Sequence, residues 1–166
     1  KDDIAIECIS ARLLKARISI KSKCVTFVVA YTPTEEATKG EKAKYIAALN
    51  STVSSLPTRE YVFILGKGGG DAESKVLGAY GQDVLNQNGK LLLSFSEDNK
   101  LALLNTYFST PKNDASYTSQ SANHGKGQGR MDYIIIKQVD RRLVRSVNFR
   151  PVPLGGPKSD HNFVYA

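Results

Sequence analysis

Cys24-Val-Thr-Phe-Val-Val-Ala-Tyr31-Thr32-Pro33-Thr34 is the stretch on which the reading of this chain turns. From Cys24 to Tyr31 it is apolar and rich in β-branched residues, which predicts a strand buried on both faces. Pro33 ends it. Thr34-Glu35-Glu36 then opens a helix: Thr34 suits the cap, and the two acids suit the positive helix N-terminus. Ile46, Leu49, Val53 and Leu56 follow at helical spacing until Pro57 stops them. Tyr61 to Leu65 is a second buried strand, and Gly66-Lys67-Gly68-Gly69-Gly70 after it reads as a loop. Strand, helix, strand is the unit of a layered α/β fold.

Upstream, Leu13 to Ile20 alternates, with Leu14, Ala16, Ile18 and Ile20 on one side and Lys15, Arg17 and Ser19 on the other. That period of two predicts a strand with one solvated face. Ile4 to Ile9 is a further strand. Downstream, Asn86 to Asn99 reads as a second helix. Strands are expected at Leu101 to Phe108, Met131 to Lys137, Leu143 to Phe149 and Asn162 to Tyr165, with a short extended piece at Tyr117-Thr118. Many strands and two helices, each helix between strands, fit a two-sheet sandwich with outer helices. The 166 residues are expected to form one domain, residues 1–166. Sandwiches often need about 200–250 residues, so an element is expected to be absent.

The composition, 41% hydrophobic and 23% charged, is that of a folded chain. Lysine and arginine exceed aspartate and glutamate by 23 to 16, a net charge of +7. A basic balance favours a phosphate-bearing partner, although solubility alone also accounts for it. The basic residues are scattered except for Arg141, Arg142, Arg145 and Arg150. Cys8 and Cys24 have no metal spacing and are too few for a disulfide scaffold, so reduced thiols are expected. No apolar run reaches the roughly 20 residues of a membrane span. Lys1 to Ser10 carries acids instead of a leader pattern. The expectation is a nuclear or cytoplasmic protein.

Three segments could carry chemistry. Tyr31-Thr32-Pro33-Thr34 lies at a strand end, where ligands collect in layered folds. Gly129-Arg130-Met131-Asp132-Tyr133 puts a carboxylate at the mouth of an apolar strand, where it needs a partner. Ser159-Asp160-His161-Asn162 joins a metal-type carboxylate to an imidazole. Neighbours in an extended chain point to opposite sides, so Asp160 and His161 would do separate jobs. Singly, each has an ordinary reading: a proline turn, a salt bridge with Arg130 or a neighbour, a capped turn.

Together, in this order, the segments resemble the endonuclease/exonuclease/phosphatase family. That family carries Tyr-x-Pro, Gly-Asp-x-Asn, Arg-[Ile/Leu/Met]-Asp-Tyr and Ser-Asp-His segments in sequence. Residues 76–166 look especially like retrotransposon (LINE-type) endonucleases, through Asn88-Gly-Lys-Leu-Leu-Leu, Glu97-Asp-Asn-Lys-Leu-Ala-Leu-Leu-Asn-Thr, Ser116-Tyr-Thr and Ser159-Asp-His-Asn. The resemblance implies an α/β, four-layer sandwich of two mixed β-sheets flanked by helices, the DNase I-like fold. It also implies phosphodiester hydrolysis of DNA with Mg²⁺ or Mn²⁺. By motif, Tyr31 would touch the scissile phosphate. Asp160 would be a metal ligand, and His161 would donate to a phosphate oxygen. Asp132 would orient His161 and keep it protonated. Thr34 and Thr118 would lie near the substrate phosphate or backbone.

The pattern also breaks. After Tyr61-Val-Phe-Ile-Leu65 the family has Asp and Asn two apart. Here Lys67 and Gly69 stand at those positions, unless the motif was excised. The carboxylate that would handle a proton is missing, and such help is worth about 10²–10⁴ in rate. Asp71 and Glu73 follow in a glycine-rich loop that would not hold them in place. The family's N-terminal asparagine and metal-binding glutamate have no match before Tyr31. Glu7 is the sole candidate, and its context is that of the strand after those motifs. The chain reads as N-terminally incomplete and degenerate, with little or no activity. The alternative is a non-catalytic nucleic-acid-binding or protein-interaction module.

Overall fold

The computed structural model describes residues 3–67, 76–80, 86–110, 117–120, 128–151 and 161–166. Three strands open the chain: β1 (Asp3–Ser10), β2 (Leu13–Ile20) and β3 (Lys23–Ala30). They form two antiparallel hairpins with two-residue turns at 11–12 and 21–22. Lys21, at φ 54°, supplies the left-handed residue that such a tight turn needs. Helix α1 (Lys39–Ser54) then crosses over to β4 (Tyr61–Lys67), which pairs parallel to β3. After α2 (Gln87–Asp98) come β5 (Leu101–Leu103), the short pair β6 (Ser119–Gln120) and β7 (Gln128–Gly129), β8 (Asp132–Lys137), β9 (Asn148–Pro151) and β10 (Asn162–Tyr165). The main sheet has the order β1-β2-β3-β4-β8-β5, so β8 is inserted between β4 and β5, antiparallel to both.

Helix α1 begins later than the sequence reading has it. Thr38, not Thr34, is the cap: its hydroxyl accepts from Glu41 N at 3.2 Å, and the Glu41 carboxylate accepts from Thr38 N at 2.9 Å. This reciprocal box satisfies two donors at once. Thr34 belongs to the turn before it, where its carbonyl accepts from Ala37 N. Helix α2 starts at an Asn86 cap and ends at Asn99, as read from the sequence.

Both helices cover one face of the sheet. Tyr45, Leu49, Leu92 and Phe95 bury themselves there against Val28, Ile64 and Ile135. The other face departs from expectation. Strand β3 was read as buried on both sides, yet Val28 is 0% exposed and Val29 44%. The register aligns Val29 with Leu14 and Leu65, and Ile4 with Ile18 and Val25. On that face Ile4 and Ile6 are 66% and 67% exposed. The second layer, the β9–β10 pair, packs only at the β8 side, where Val147 and Val164 meet Ile134 and Ile136. Among the described residues the second layer is the β9–β10 pair, with the short β6–β7 pair joined to it by a bridge from Ser119 to His161, and the β1–β3 half of the main sheet leaves large apolar residues exposed on that face.

Two further strands are shorter than read. The strand expected to run to Phe108 stops at Leu103, and Leu104–Thr106 is a 3₁₀ turn. There the Asn105 amide takes over the ladder, donating to Asp132 O and accepting from Ile134 N, both at 2.9 Å. Of the stretch expected as a strand from Leu143, only Asn148–Pro151 pairs; Gln138–Leu143 is 3₁₀, with Val139 and Leu143 exposed.

Candidate functional site

At one end of the main sheet the register sets Ala30 beside Gly66, Gly66 beside Tyr133, and Lys67 beside Asp132. Tyr31 follows β3 at that end, and Asp132 is the first residue of β8. His161, immediately before β10, is brought alongside by an isolated bridge to Ser119. These elements border a cleft of about 410 Å³ whose walls include Tyr31, Gly66, Asp132, His161 and Phe163. Tyr31, Asp132 and His161, far apart in sequence, thus share one cavity.

Within it His161 Nδ1 lies 2.6 Å from Asp132 Oδ2. Both side chains are about one-third exposed. The carboxylate fixes the ring's orientation in the cleft through Nδ1. Tyr31 is 59% exposed, with the Arg12 guanidinium 5.5 Å from its ring centroid.

Residues beneath the cleft hold Asp132 in place. Thr118 is 0% exposed, and its hydroxyl accepts from Met131 N at 2.6 Å and Asp132 N at 2.9 Å. Its backbone joins Gly129 O and Asn162 N, tying the Asp132 loop to the His161 segment. Thr118 therefore supports Asp132 from below and has no surface turned toward a substrate. Thr34 is exposed and borders a separate groove of about 240 Å³, together with Glu35, Glu36, Asn86 and Asn88. Arg130 is buried, donates to the Tyr80 and Asn105 carbonyls, and lies 5.5 Å from the Phe149 ring. Asn105 is a site-building residue that the sequence reading missed. Its one signal was a polar amide inside the apolar run Leu101-Ala-Leu-Leu-Asn105. A buried amide must find partners.

Asp160 falls outside the described residues, as do residues 68–75, which hold Asp71 and Glu73. Glu7 lies on β1, salt-bridged to Lys15 at 2.6 Å, and takes no part in the cleft. Among the described residues no group of three or more His, Cys, Asp or Glu side chains is arranged to hold a metal ion. Asp132 is the cleft's described carboxylate, and one of its oxygens is engaged by His161. The described side chains thus do not fit a magnesium or manganese site. No described helix is long and apolar enough to cross a membrane.

No family model matches the chain. Two curated relatives, craniofacial development protein 2 of Bos taurus and of Tragulus javanicus, are each 30% identical over 159 residues, 93% of this chain. The chain spans about a quarter of their length, 26% and 27%. Similar solved structures include the endonuclease domain of TRAS1, a telomere-specific non-LTR retrotransposon. It has a TM-score of 0.66 and 15% identity over 98% of this chain and 67% of that one. The 3′ phosphatase NExo from Neisseria, bound to a product DNA hairpin, gives 0.65 and 15% over 99% and 68%. An AP endonuclease from Archaeoglobus fulgidus gives 0.66 and 12% over 99% and 70%.

Proposed function

From the premise that this chain carries the DNase I-like fold of the endonuclease/exonuclease/phosphatase family and resembles its retrotransposon members, we propose that it is a DNA-directed domain of the nuclease type. It grips a backbone phosphate in the cleft and hydrolyses it slowly or not at all. The observation that carries this reading is the Asp132–His161 pair, at 2.6 Å, facing the same cleft as Tyr31. The Tyr31 hydroxyl and the His161 ring are donors suited to non-bridging phosphate oxygens, and Asp132 sets the ring's angle.

Weak turnover is expected from the residue that the sequence has at the end of β4. Lys67 is the register partner of Asp132, at the strand end where the family places its proton-handling carboxylate. Loss of that group alone removes about 10²–10⁴ in rate. Asp160 is the further ligand that the Ser-Asp-His motif would add for Mg²⁺ or Mn²⁺. One carboxylate can suffice for Mg²⁺ only when phosphates and water complete the shell.

The test is nicking of supercoiled plasmid with Mg²⁺ and with Mn²⁺, beside DNA binding across a salt series. The expected result is no nicking above buffer, together with binding that weakens as salt rises and that His161→Ala lowers. Nicking that Asp160→Ala abolishes would overturn the claim of decayed activity. A protein-interaction module is the second reading, favoured by the uncovered apolar face that bears Ile4 and Ile6. Absence of DNA binding by folded protein would select it.

A further inference from the structure

Two grooves meet at Pro33, next to Tyr31 of the cleft, and they differ in charge. One, bordered by Thr34, carries Glu35 and Glu36. Glu35 is fixed there: its carboxylate accepts from Gln87 N at 3.0 Å and Asn88 N at 3.3 Å, occupying the positive N-terminus of α2. Lys42 Nζ stands 3.9 Å from it and donates to the Glu35 carbonyl at 2.7 Å. Glu36 remains as exposed negative charge.

The other groove, about 300 Å³, runs between the β1–β2 turn and α1 and is bordered by Arg12, Pro33, Glu41, Lys44 and Tyr45. Its acid is internally committed. Glu41 accepts from Thr38 N at 2.9 Å and Thr38 Oγ at 2.8 Å. Those two bonds hold its carboxyl below the usual range, with Arg12 and then Lys44 adding to the effect. Both cations border the same groove as that carboxylate. Arg12 is also tied to the cleft, because its carbonyl accepts from Tyr31 N at 2.8 Å and its guanidinium stacks on the Tyr31 ring.

We infer that this second groove is a phosphate subsite, in which Arg12 and Lys44 hold the nucleic-acid backbone phosphate next to the one gripped in the cleft. The inference rests on the phosphate-gripping reading above and extends it outward along the strand. A polyanion passing Tyr31 meets Arg12 and Lys44 beside the hydrogen-bonded Glu41 carboxylate on one side, and the exposed Glu36 beside the Lys42-paired Glu35 on the other, so the Arg12 side takes it. Stacking on Tyr31 orients the guanidinium, which lowers the ordering cost of a contact by a long, exposed side chain. The Thr34 side, in contrast, repels the backbone.

Fluorescence anisotropy with a labelled duplex of about 20 base pairs, over about 50 to 200 mM salt, tests this. Arg12→Ala and Lys44→Ala are each expected to weaken binding about three- to tenfold at low salt. Each should also reduce the slope of log affinity against log salt by about 1. Arg12→Lys should keep the slope and lose only part of the affinity, and Glu36→Gln should bind as well as wild type or better. All three positions are exposed, and far-UV circular dichroism melts confirm folding. If His161→Ala weakens binding while Arg12→Ala and Lys44→Ala leave affinity and slope unchanged, the cleft reading stands and the subsite is overturned. If folded wild type binds no DNA, both fall together.

Discussion

Thr118 shows how much a single hidden hydroxyl carries here. Two successive amides, those of Met131 and Asp132, point at its oxygen. Thr118→Val keeps the shape but removes the acceptor, leaving buried donors unpaired. The expected loss is about 1–3 kcal/mol in urea unfolding, while Thr118→Ser should stay within about 1 kcal/mol of wild type. Because the same hydroxyl sets Asp132 under His161, the valine variant should also bind DNA more weakly than its stability loss alone explains. Asp132 and His161 were legible through the resemblance of Arg130-Met-Asp-Tyr and Ser159-Asp-His-Asn to family motifs, since each segment alone had an ordinary reading. The sequence did not expose the supporting roles of Thr118 and Asn105. Those depend on which backbone amides lie opposite them, and that is settled only when strands distant in sequence are brought into register.

At the level of elements, Glu60 is the clamp at the start of β4. Its carboxylate accepts from Arg17 Nε on β2 and Thr26 Oγ on β3, both at 2.7 Å, and its carbonyl accepts from Lys137 Nζ on β8. One residue thus ties four neighbouring strands at the end of the sheet opposite the cleft. Arg17 first, then the Thr26 hydroxyl, hold the carboxyl below its usual range against the effect of burial. A lowered folded-state pKa stabilises fully above the unfolded value, about 4.3, and the stabilisation drains away as pH falls through the folded value. Thermal melts from neutral pH down to about pH 3 should therefore show wild type losing stability faster than Glu60→Gln. At neutral pH the glutamine variant should be about 1–3 kcal/mol less stable. Most strand positions were legible because β-branched runs and period-two alternation mark extended chain. The boundaries were less so. Helix α1 starts at Thr38 because of a box formed with Glu41, and β5 ends early because Asn105 replaces its ladder. In both places a side chain competes with the backbone for hydrogen bonds, and an apolar pattern cannot reveal that.

For the whole molecule, the main fact is an apolar sheet face with a partial second layer. Ile4, Ile6, Ile20, Val29 and Leu65 are all exposed large hydrophobic residues, and the register places them on one side of the sheet. Contiguous apolar surface of this kind drives association. Strand β1 at the sheet's edge adds an open row of backbone groups. Sedimentation velocity is expected to show concentration-dependent self-association, with dye binding typical of exposed apolar surface. The pair Ile6→Lys and Val29→Lys should suppress both without lowering the melting temperature by more than a few degrees. A monomer at all concentrations, with no dye binding, would contradict this. The layered α/β class was readable from the strand–helix–strand unit around Cys24 to Tyr31. The uncovered face was not, because an apolar strand looks the same in sequence whether or not a second layer meets it.

The insertion of β8 between β4 and β5 also bears on how the chain is made. Strand β4 is synthesised early, but its neighbour on that side starts only at Asp132, and His161 comes later still. On the ribosome, a product ending before residue 132 can contain both hairpins, both helices and β4, yet it has no Asp132–His161 cleft. The edge of β4 that faces β8 gains its partner only once residue 132 has emerged, and the cleft waits on His161 as well.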